Sequence, residues 1–139
     1  MAEVENTKVV FELVTPMALA VSENVDMVVV PGIDGDFGIL PGHSPVLTTI
    51  RPGLIKIYIN GEVTKSLFVE GGFAEANVKG CTVLAEGVTD IVDISVEDAQ
   101  ARLVVARDAL ADTNGAMAKN EVKVAEAMVM AASGNTTQH

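Results

Sequence analysis

The sequence predicts a β-sandwich or flattened barrel followed by an antiparallel α-helical hairpin. All five prolines and ten of the twelve glycines precede residue 90, where short apolar runs alternate with turn residues. After residue 90 glycine and proline nearly disappear, and apolar residues recur at spacings of three and four. The first pattern is typical of strands and the second of helices. We therefore predict two domains, a sandwich at residues 1–90 and a helical hairpin at residues 91–139.

Nine candidate strands precede the boundary, and no run of helical length separates them, which argues against parallel βαβ units. Asn60-Gly61 lies between two of these strands, and Asn-Gly readily adopts the positive φ angles of a type I′ hairpin turn. Lys79-Gly80 is a weaker turn signal. The predicted strands cover residues 8–14, 17–22, 26–30, 37–40, 47–50, 54–59, 62–69, 72–78 and 81–85.

The helical part begins at Ser95, a suitable N-cap that is followed three residues later by Asp98. The first helix is predicted to end near Leu110 and the second to cover residues 117–132, with turn-forming residues between them. A polar tail from about residue 133 is predicted to be disordered. The apolar stripes expected to face each other are Val96, Ala99, Leu103, Ala106 and Leu110 on the first helix, and Ala118, Val122, Ala125, Val129 and Ala132 on the second.

The composition argues against several functional classes. The formal net charge is -10, which disfavours nucleic-acid binding and direct attachment to anionic lipid, because both need clustered Lys and Arg. Cys81 is the only cysteine, and its apolar surroundings predict an inert buried thiol. The first residues do not resemble a signal peptide, and the sequence predicts no membrane span. We expect a cytoplasmic protein that meets a membrane only through a protein partner.

Residues 31–53 (PGIDGDFGILPGHSPVLTTIRPG) contain near-matches to three kinds of reactive site, and each is incomplete. The glycines lack the Lys of a phosphate-binding P-loop. Ser44 is followed by Pro45, which has no N–H for the oxyanion hole of a nucleophile elbow. The run DGD lacks the other ligands of a calcium loop, and the chain has too few Cys and His for zinc. We predict no catalytic residue, metal or cofactor, and interpret His43 as a structural or interface residue.

The same segment resembles the hallmark of the ATP synthase epsilon subunit family, a G-x-x-G-[DE]-[LF]-G-[IV]-x-P-G-H-x-P-[LV]-[LV]-T loop that ends in Pro-Gly. The later run VEGGFAEA is similar to the second recurring stretch of that family, in which paired glycines precede a strand. The likeness covers essentially the whole chain, including the hairpin. It implies a β-sandwich of about ten strands followed by the antiparallel helical hairpin.

The resemblance also implies a function and a location. The chain would be a non-catalytic central-stalk subunit of the proton-translocating F-type ATP synthase, peripheral on the cytoplasmic face of the bacterial plasma membrane. It would couple the gamma subunit to the c-ring for rotary ATP synthesis, and its hairpin could extend to the catalytic alpha and beta subunits and regulate ATP hydrolysis. We expect Asp36 to project from a glycine-flanked turn. The contact loop for the c-ring and gamma would be Asp36, Phe37, Gly38, Ile39, Leu40, Pro41, Gly42 and His43.

Members of this family that bind ATP on the hairpin carry a D-x-x-R-A pattern on the first helix, and this chain departs from it. Glu97 and Ala101 match the acid and the alanine, but Gln100 replaces the arginine. Arg107 lies where a further phosphate-facing arginine could sit. Glu97, Ala101 and Arg107 are therefore the candidate contacts for a nucleotide. We expect any such nucleotide to bind weakly, because an arginine that would donate two hydrogen bonds to a phosphate is missing.

The two arginines of the first helix have different expected roles. Arg102 and Arg107 are five residues apart and do not share a helix face. Asp98 precedes Arg102 by four residues, so we expect these two side chains to pair on the surface. That leaves Arg107, with Lys119 or Lys123 of the second helix, as the cations available to a phosphate group.

Two other functions stay open on the residues alone. One is a free-standing sandwich that binds a ligand such as a carbohydrate, although the chain has no Trp and one Tyr to build an aromatic platform. The other is a small hydrolase, although its nucleophile elbow is incomplete. Co-purification with gamma and the catalytic subunits would favour the stalk subunit, whereas a solitary monomer would favour either alternative.

Overall fold

The computed structural model describes residues 7–134, and this part contains ten β-strands, a 3-10 turn and two α-helices. The helices are α1 (Val96–Thr113) and α2 (Ala116–Gly134), and the 3-10 turn is Ile91–Asp93. The predicted fold class is confirmed. The strands are β1 Val9–Val14, β2 Leu19–Val25, β3 Met27–Gly32, β4 Gly35–Ile39, β5 Val46–Ile50, β6 Gly53–Ile59, β7 Glu62–Val69, β8 Gly72–Asn77, β9 Gly80–Ala85 and β10 Val88–Asp90.

The strands form one curled sheet in the order β10-β7-β6-β3-β5-β8-β9-β1-β2, with β4 paired to the other edge of β3. A single bridge, Gly32 with Ile50, connects β3 to β5. The sheet therefore divides there into two halves of five strands, β10-β7-β6-β3-β4 and β5-β8-β9-β1-β2. All pairings are antiparallel except that of β1 with β9, which agrees with the absence of βαβ units.

The core lies between the two halves and is built from aliphatic side chains that alternate along the strands. On β1 the inward residues are Val9, Phe11 and Leu13, and burying each such side chain contributes about 1.5–3 kcal/mol. Cys81 lies in this core, and burial raises the pKa of its thiol to about 12. The thiol is therefore protonated and inert at neutral pH, as the sequence predicted.

The turn between β6 and β7 has the predicted geometry, because Asn60 and Gly61 have φ angles of 56° and 81°. Positive φ at both central residues defines the type I′ turn. The sequence predicted nine strands, and the tenth, β10, is not among them. It is three residues long, too short for an alternating pattern, and exists because it pairs with the end of β7.

Helix α1 has the caps expected from the sequence, and both helices extend further than predicted. The Ser95 hydroxyl accepts a hydrogen bond from the Asp98 N–H at 3.0 Å, which caps α1. Helix α1 continues past Leu110 to Thr113, where Asn114 adopts the left-handed conformation with φ 49°. Residues 133–134, predicted to begin a disordered tail, lie in α2. The rest of that tail, residues 135–139, lies outside the described residues.

The hairpin packs on the outer face of β6 and β7 through a second, smaller core. At the end of β7 Leu67 and Val69 point into the sandwich, whereas Phe68 points outward and is fully buried beneath the helices. The predicted stripe of α2 is therefore incomplete, because this helix buries a second face as well. The residues of this second core are Phe68, Ala99, Val124, Met128 and Ala131, with Leu54, Ile91, Ile94, Ala127 and Val129 packed around them.

We predict that a chain ending after Asp93 folds as a sandwich, because the larger core is complete without the helices. The truncated chain should unfold cooperatively with dispersed amide NMR signals. Its free energy of unfolding should be about 1.5–3 kcal/mol lower than that of the full chain, because Phe68 becomes exposed. A matched truncation carrying Phe68→Thr should be more soluble. An unfolded truncated chain would show that the hairpin is essential to the sandwich.

Candidate functional site

The segment predicted as one contact loop is a strand and the turn that follows it. Asp36 to Ile39 lie on β4, and Leu40 to His43 form the turn. Asp36 pairs with Pro31 beside the β3–β4 turn, whereas Ile39 pairs with Val28 at the other end of the ladder. A strand rises about 3.3 Å per residue, so Asp36 and His43 lie at opposite ends of β4. The fully buried Ile39 belongs to the core and not to a surface.

The Asp36 end is held together by Arg51. The Arg51 guanidinium donates from Nη2 to Asp36 Oδ1 and from Nη1 to the Gly32 carbonyl oxygen, both at 2.6 Å. The expectation that Asp36 lies in the turn is wrong, because the turn consists of Ile33 and Asp34. Ile33 has 60 % of its surface exposed. The turn is therefore exposed at that end together with the Asp36 side chain, which is 59% exposed.

The His43 end is a compact turn. Pro41 and Gly42 occupy its central positions, Gly42 has φ 78°, and the His43 N–H donates to the Leu40 carbonyl at 3.2 Å. This is the residue pattern of a type II turn. The His43 ring Nδ1 lies 2.6 Å from the Ser44 carbonyl oxygen, which can only accept, so Nδ1 carries the proton. The ring therefore braces the loop.

An apolar surface that the sequence analysis missed lies on the outside of the second half-sheet. Leu47, Phe73, Leu84 and Val14 project outward from β5, β8, β9 and β1, and the first three are 72 %, 54 % and 53 % exposed. The register places Phe73 opposite Leu84, and Leu84 opposite Val14, whereas Leu47 lies opposite Glu75 and diagonal to Phe73. We call these four residues the outer apolar face. An open groove of about 380 Å³ runs along it beside Thr15 and Pro16.

The outer apolar face meets the β3–β4 turn at one edge. The Ile33 N–H donates to the Thr49 carbonyl at 2.9 Å, and Thr49 pairs with Phe73. In the next outward row Glu12 and Glu75 flank Thr82, and Leu47 lies beside Glu75, so acidic residues adjoin the apolar part. Contiguous exposed apolar surface of this kind marks protein–protein contacts. The sequence signal was an apolar residue, Leu84, at an outward position of β9.

The three candidate nucleotide contacts lie apart along α1. Glu97 and Ala101 are exposed and share one side of α1. Arg107 lies six residues beyond Ala101, which places it about 9 Å along the helix and about 120° around it. Its guanidinium lies 3.6 Å from Glu126 of α2, and both side chains are more than half exposed. Arg107 therefore already has a carboxylate partner, and Lys119 and Lys123 are exposed on α2.

Arg102 does not pair with Asp98, and that expectation is wrong. Its guanidinium lies between Glu121 of α2 and Glu70, which follows β7. Nε and Nη2 donate to the Glu121 carboxylate at 2.6 and 3.1 Å, and Nη1 and Nη2 donate to the Glu70 carboxylate at 3.2 Å each. Bidentate pairs of this kind are among the stronger charge-assisted hydrogen bonds. One arginine thus connects both helices to the sandwich.

The ionisation of Arg102 and Glu121 follows from this geometry. The hydrogen bond from Arg102 lowers the pKa of Glu121, and the Glu121 and Glu70 carboxylates raise the pKa of Arg102. Because the pKa of Glu121 is lowered on folding, its stabilising contribution is present above the pKa of the unfolded chain. It is lost as the pH falls through the folded value.

Comparisons with known proteins identify the family. The model of the β-sandwich domain of the ATP synthase delta/epsilon chain matches residues 8–91. The ATP synthase epsilon chain of Paramagnetospirillum magneticum is 49% identical over 128 residues, which cover 89% of this chain and 96% of that one. The chain belongs to the ATP synthase epsilon family. The epsilon chain of Rhodospirillum rubrum is 48% identical over 121 residues, which cover 87% of this chain and 90% of that one.

Solved structures agree with this fold. A chain of the Euglena gracilis mitochondrial ATP synthase (OSCP/F1/c-ring, rotational state 1) has a TM-score of 0.74 and 17% identity, over 95% of this chain and 82% of that chain. A chain of the Tetrahymena thermophila mitochondrial ATP synthase (central stalk/c-ring) has a TM-score of 0.54 and 17% identity, over 65% of this chain and 72% of that chain. At such identities the likeness concerns the fold alone.

Family membership makes this epsilon-type chain a non-catalytic subunit of ATP synthase, as the sequence predicted. No group of His, Cys, Asp or Glu among residues 7–134 is arranged to hold a metal ion. Within the same range, neither α-helix combines the length and the apolar character needed to cross a bilayer.

We predict that ATP binds this epsilon-family chain more weakly than millimolar or not at all. The reason is that Arg102 is occupied by two carboxylates and Arg107 is paired with Glu126, away from Ala101 on α1. Titration of the full chain with ATP, followed by calorimetry and amide NMR, measures this directly, and AMP serves as the control ligand. Saturable micromolar binding with shifts confined to the hairpin would contradict the prediction.

Proposed function

We propose that the chain is the central-stalk subunit that couples the gamma subunit to the c-ring of a proton-translocating F-type ATP synthase. The observation that carries this proposal is the meeting of two unlike surfaces at one edge of the sandwich. The outer apolar face is suited to a lasting protein contact, and the β3–β4 turn beside it is suited to polar loops. A subunit that transmits torque must hold two partners at once, and adjoining surfaces permit that.

The outer apolar face is the proposed site for gamma. Phe73 and Leu84 lie side by side at its centre, each with about half of its surface exposed. Docking would remove this apolar area from water, which is worth about 25 cal/mol per Å² of buried surface. Acidic residues at the other end of the same surface favour a partner with basic residues there.

The end formed by the β3–β4 turn is the proposed site for the c-ring. Ile33 and Asp34 protrude, and the bridge from Arg51 to Asp36 and Gly32 fixes their position. The turn at Leu40 to His43 lies at the opposite end of β4, so the two ends of the predicted loop are separate surfaces. We assign the c-ring contact to the Asp36 end, where a charged side chain is present.

The proposed location follows from these contacts. The subunit would be peripheral on the cytoplasmic face of the bacterial plasma membrane, attached through the c-ring. The net charge of -10 opposes direct attachment to an anionic lipid surface. The hairpin rests on the sandwich through a small core, and release of that contact would let it extend to the catalytic alpha and beta subunits and regulate hydrolysis.

A cross-linking experiment tests the c-ring contact. We expect Ile33→Cys to form a disulfide with a cysteine in a polar c-ring loop in the assembled enzyme, because Ile33 is exposed at the tip of the turn. Lys79→Cys is the matched control, since it lies in the β8–β9 turn at the far end of the outer surface. Equal cross-linking from both positions, or none from Ile33, Asp34 and Asp36, would rule out the assignment.

A charge placed on the outer apolar face tests the gamma contact. Phe73→Glu should weaken binding to ATP synthase depleted of this subunit by at least about tenfold, because a carboxylate would be buried in an apolar contact. The variant should keep its fold, since Phe73 is half exposed. Val104→Glu, at a similarly exposed residue on α1, is the control and should bind normally. Unchanged binding of the Phe73 variant would exclude this face.

A further inference from the structure

We propose that Arg102 is an ionic latch that holds the helical hairpin on the sandwich, and that its two carboxylate partners make the docked state sensitive to ionic strength. The inference rests on the proposed function in one respect, since it concerns how the docked hairpin is retained or released. It is argued from residues of this chain alone.

The position of Arg102 makes it the link between three elements. It extends from α1, contacts Glu121 on α2 and contacts Glu70 at the end of β7. Among the ion pairs between described residues, Arg102–Glu70 is the one that joins the hairpin to the sandwich. The pairs that Arg107 and Arg51 make stay within a single domain.

The latch differs from an ordinary surface ion pair in its burial and in its geometry. The Arg102 and Glu70 side chains are 29% and 27% exposed, and both contacts are bidentate. Held between two carboxylates, the guanidinium donates through all three of its nitrogens. Exposed pairs with one long contact contribute little, whereas a partly buried network of this kind contributes measurably.

Removing Arg102 would change the electrostatic interaction between the hairpin and the sandwich from attraction to repulsion. Glu70 and Glu121 lie on either side of the guanidinium, so without it two negative charges would face each other across the junction between hairpin and sandwich. Repulsion would then replace attraction. The remaining contact is the small core around Phe68 and Leu54. The strength of docking therefore depends on the Arg102 side chain as well as on this small core.

The Glu70 carboxylate packs against Gly87, where a side chain would displace it. A Cβ added at Gly87 would lie 2.9 Å from Glu70 Cδ and 3.0 Å from Oε2, and the Glu70 N–H donates to the Gly87 carbonyl at 3.0 Å. Gly87→Ala would therefore displace the carboxylate, which is the flexible end of its side chain, and leave Arg102 unchanged. This substitution weakens the latch from the sandwich side.

Thiol labelling of the full chain separates undocking of the hairpin from global unfolding. Val124→Cys introduces a thiol at a position 2% exposed, beneath the docked helix, and the native Cys81 reports opening of the sandwich core. In this background Arg102→Gln should speed maleimide labelling at position 124 by about tenfold, since hydrogen bonds to charged groups are the stronger ones. Cys81 should stay unlabelled.

Matched variants test each part of the latch. Arg107→Gln, which removes an exposed arginine from the same helix, should leave labelling within about twofold. Adding Glu121→Gln to Arg102→Gln should restore part of the protection of position 124, because Glu70 then no longer faces a second negative charge. Gly87→Ala should speed labelling as Arg102→Gln does, but by a smaller factor. Raising NaCl from about 0.05 to about 0.5 M should speed labelling of the parent and not of Arg102→Gln.

Two results would overturn the latch. One is equal labelling rates for Arg102→Gln and Arg107→Gln. The other is labelling of Cys81 in step with position 124, which would mean that Arg102 stabilises the whole fold and not the docking. Neither gamma nor the c-ring takes part in this experiment, so its failure is distinct from failure of the proposed coupling function.

Discussion

The contact between Phe68 and the helices determines how the two domains of this chain are arranged. Phe68 is fully buried although its side chain points away from the sandwich core, and the helices are what cover it. Its neighbours Leu67 and Val69 are buried on the opposite side. The end of β7 is therefore apolar on both faces, which is typical of a strand that is covered by other elements on both sides. Without this contact the hairpin would be held on the sandwich by the segment that follows β10, by the smaller apolar contacts around Leu54 and by the Arg102 ion pairs.

Much of the fold was predictable because local signals and the global fold agree. The Asn60-Gly61 turn, the Ser95 cap and the change of residue spacing near residue 90 each reflect a local preference that the tertiary structure keeps. The failures involve partners distant in sequence. Arg102 was assigned to the nearest acid on its own helix, yet its partners lie 32 and 19 residues away. Helix spacing identifies neighbours on one helix but gives no information about groups that packing brings from another element.

The contact surfaces show the same limit. The hallmark segment drew attention to one region, but a sequence pattern does not show that β4 separates its two ends, or that Ile39 is buried between them. The outer apolar face was missed because its residues come from four strands and are contiguous only after pairing. The mechanical role proposed for the chain depends on that assembled surface, on the adjoining turn and on a hairpin held by one small core and one arginine.

The most direct test of this account is a cryo-EM structure of the ATP synthase that contains this chain. The account predicts that Phe73 and Leu84 are buried against gamma, that Ile33 and Asp34 contact c-ring loops, and that Arg102 remains between Glu70 and Glu121 whenever the hairpin is folded. A structure in which the outer apolar face is exposed to solvent while another surface of the sandwich contacts gamma would contradict it.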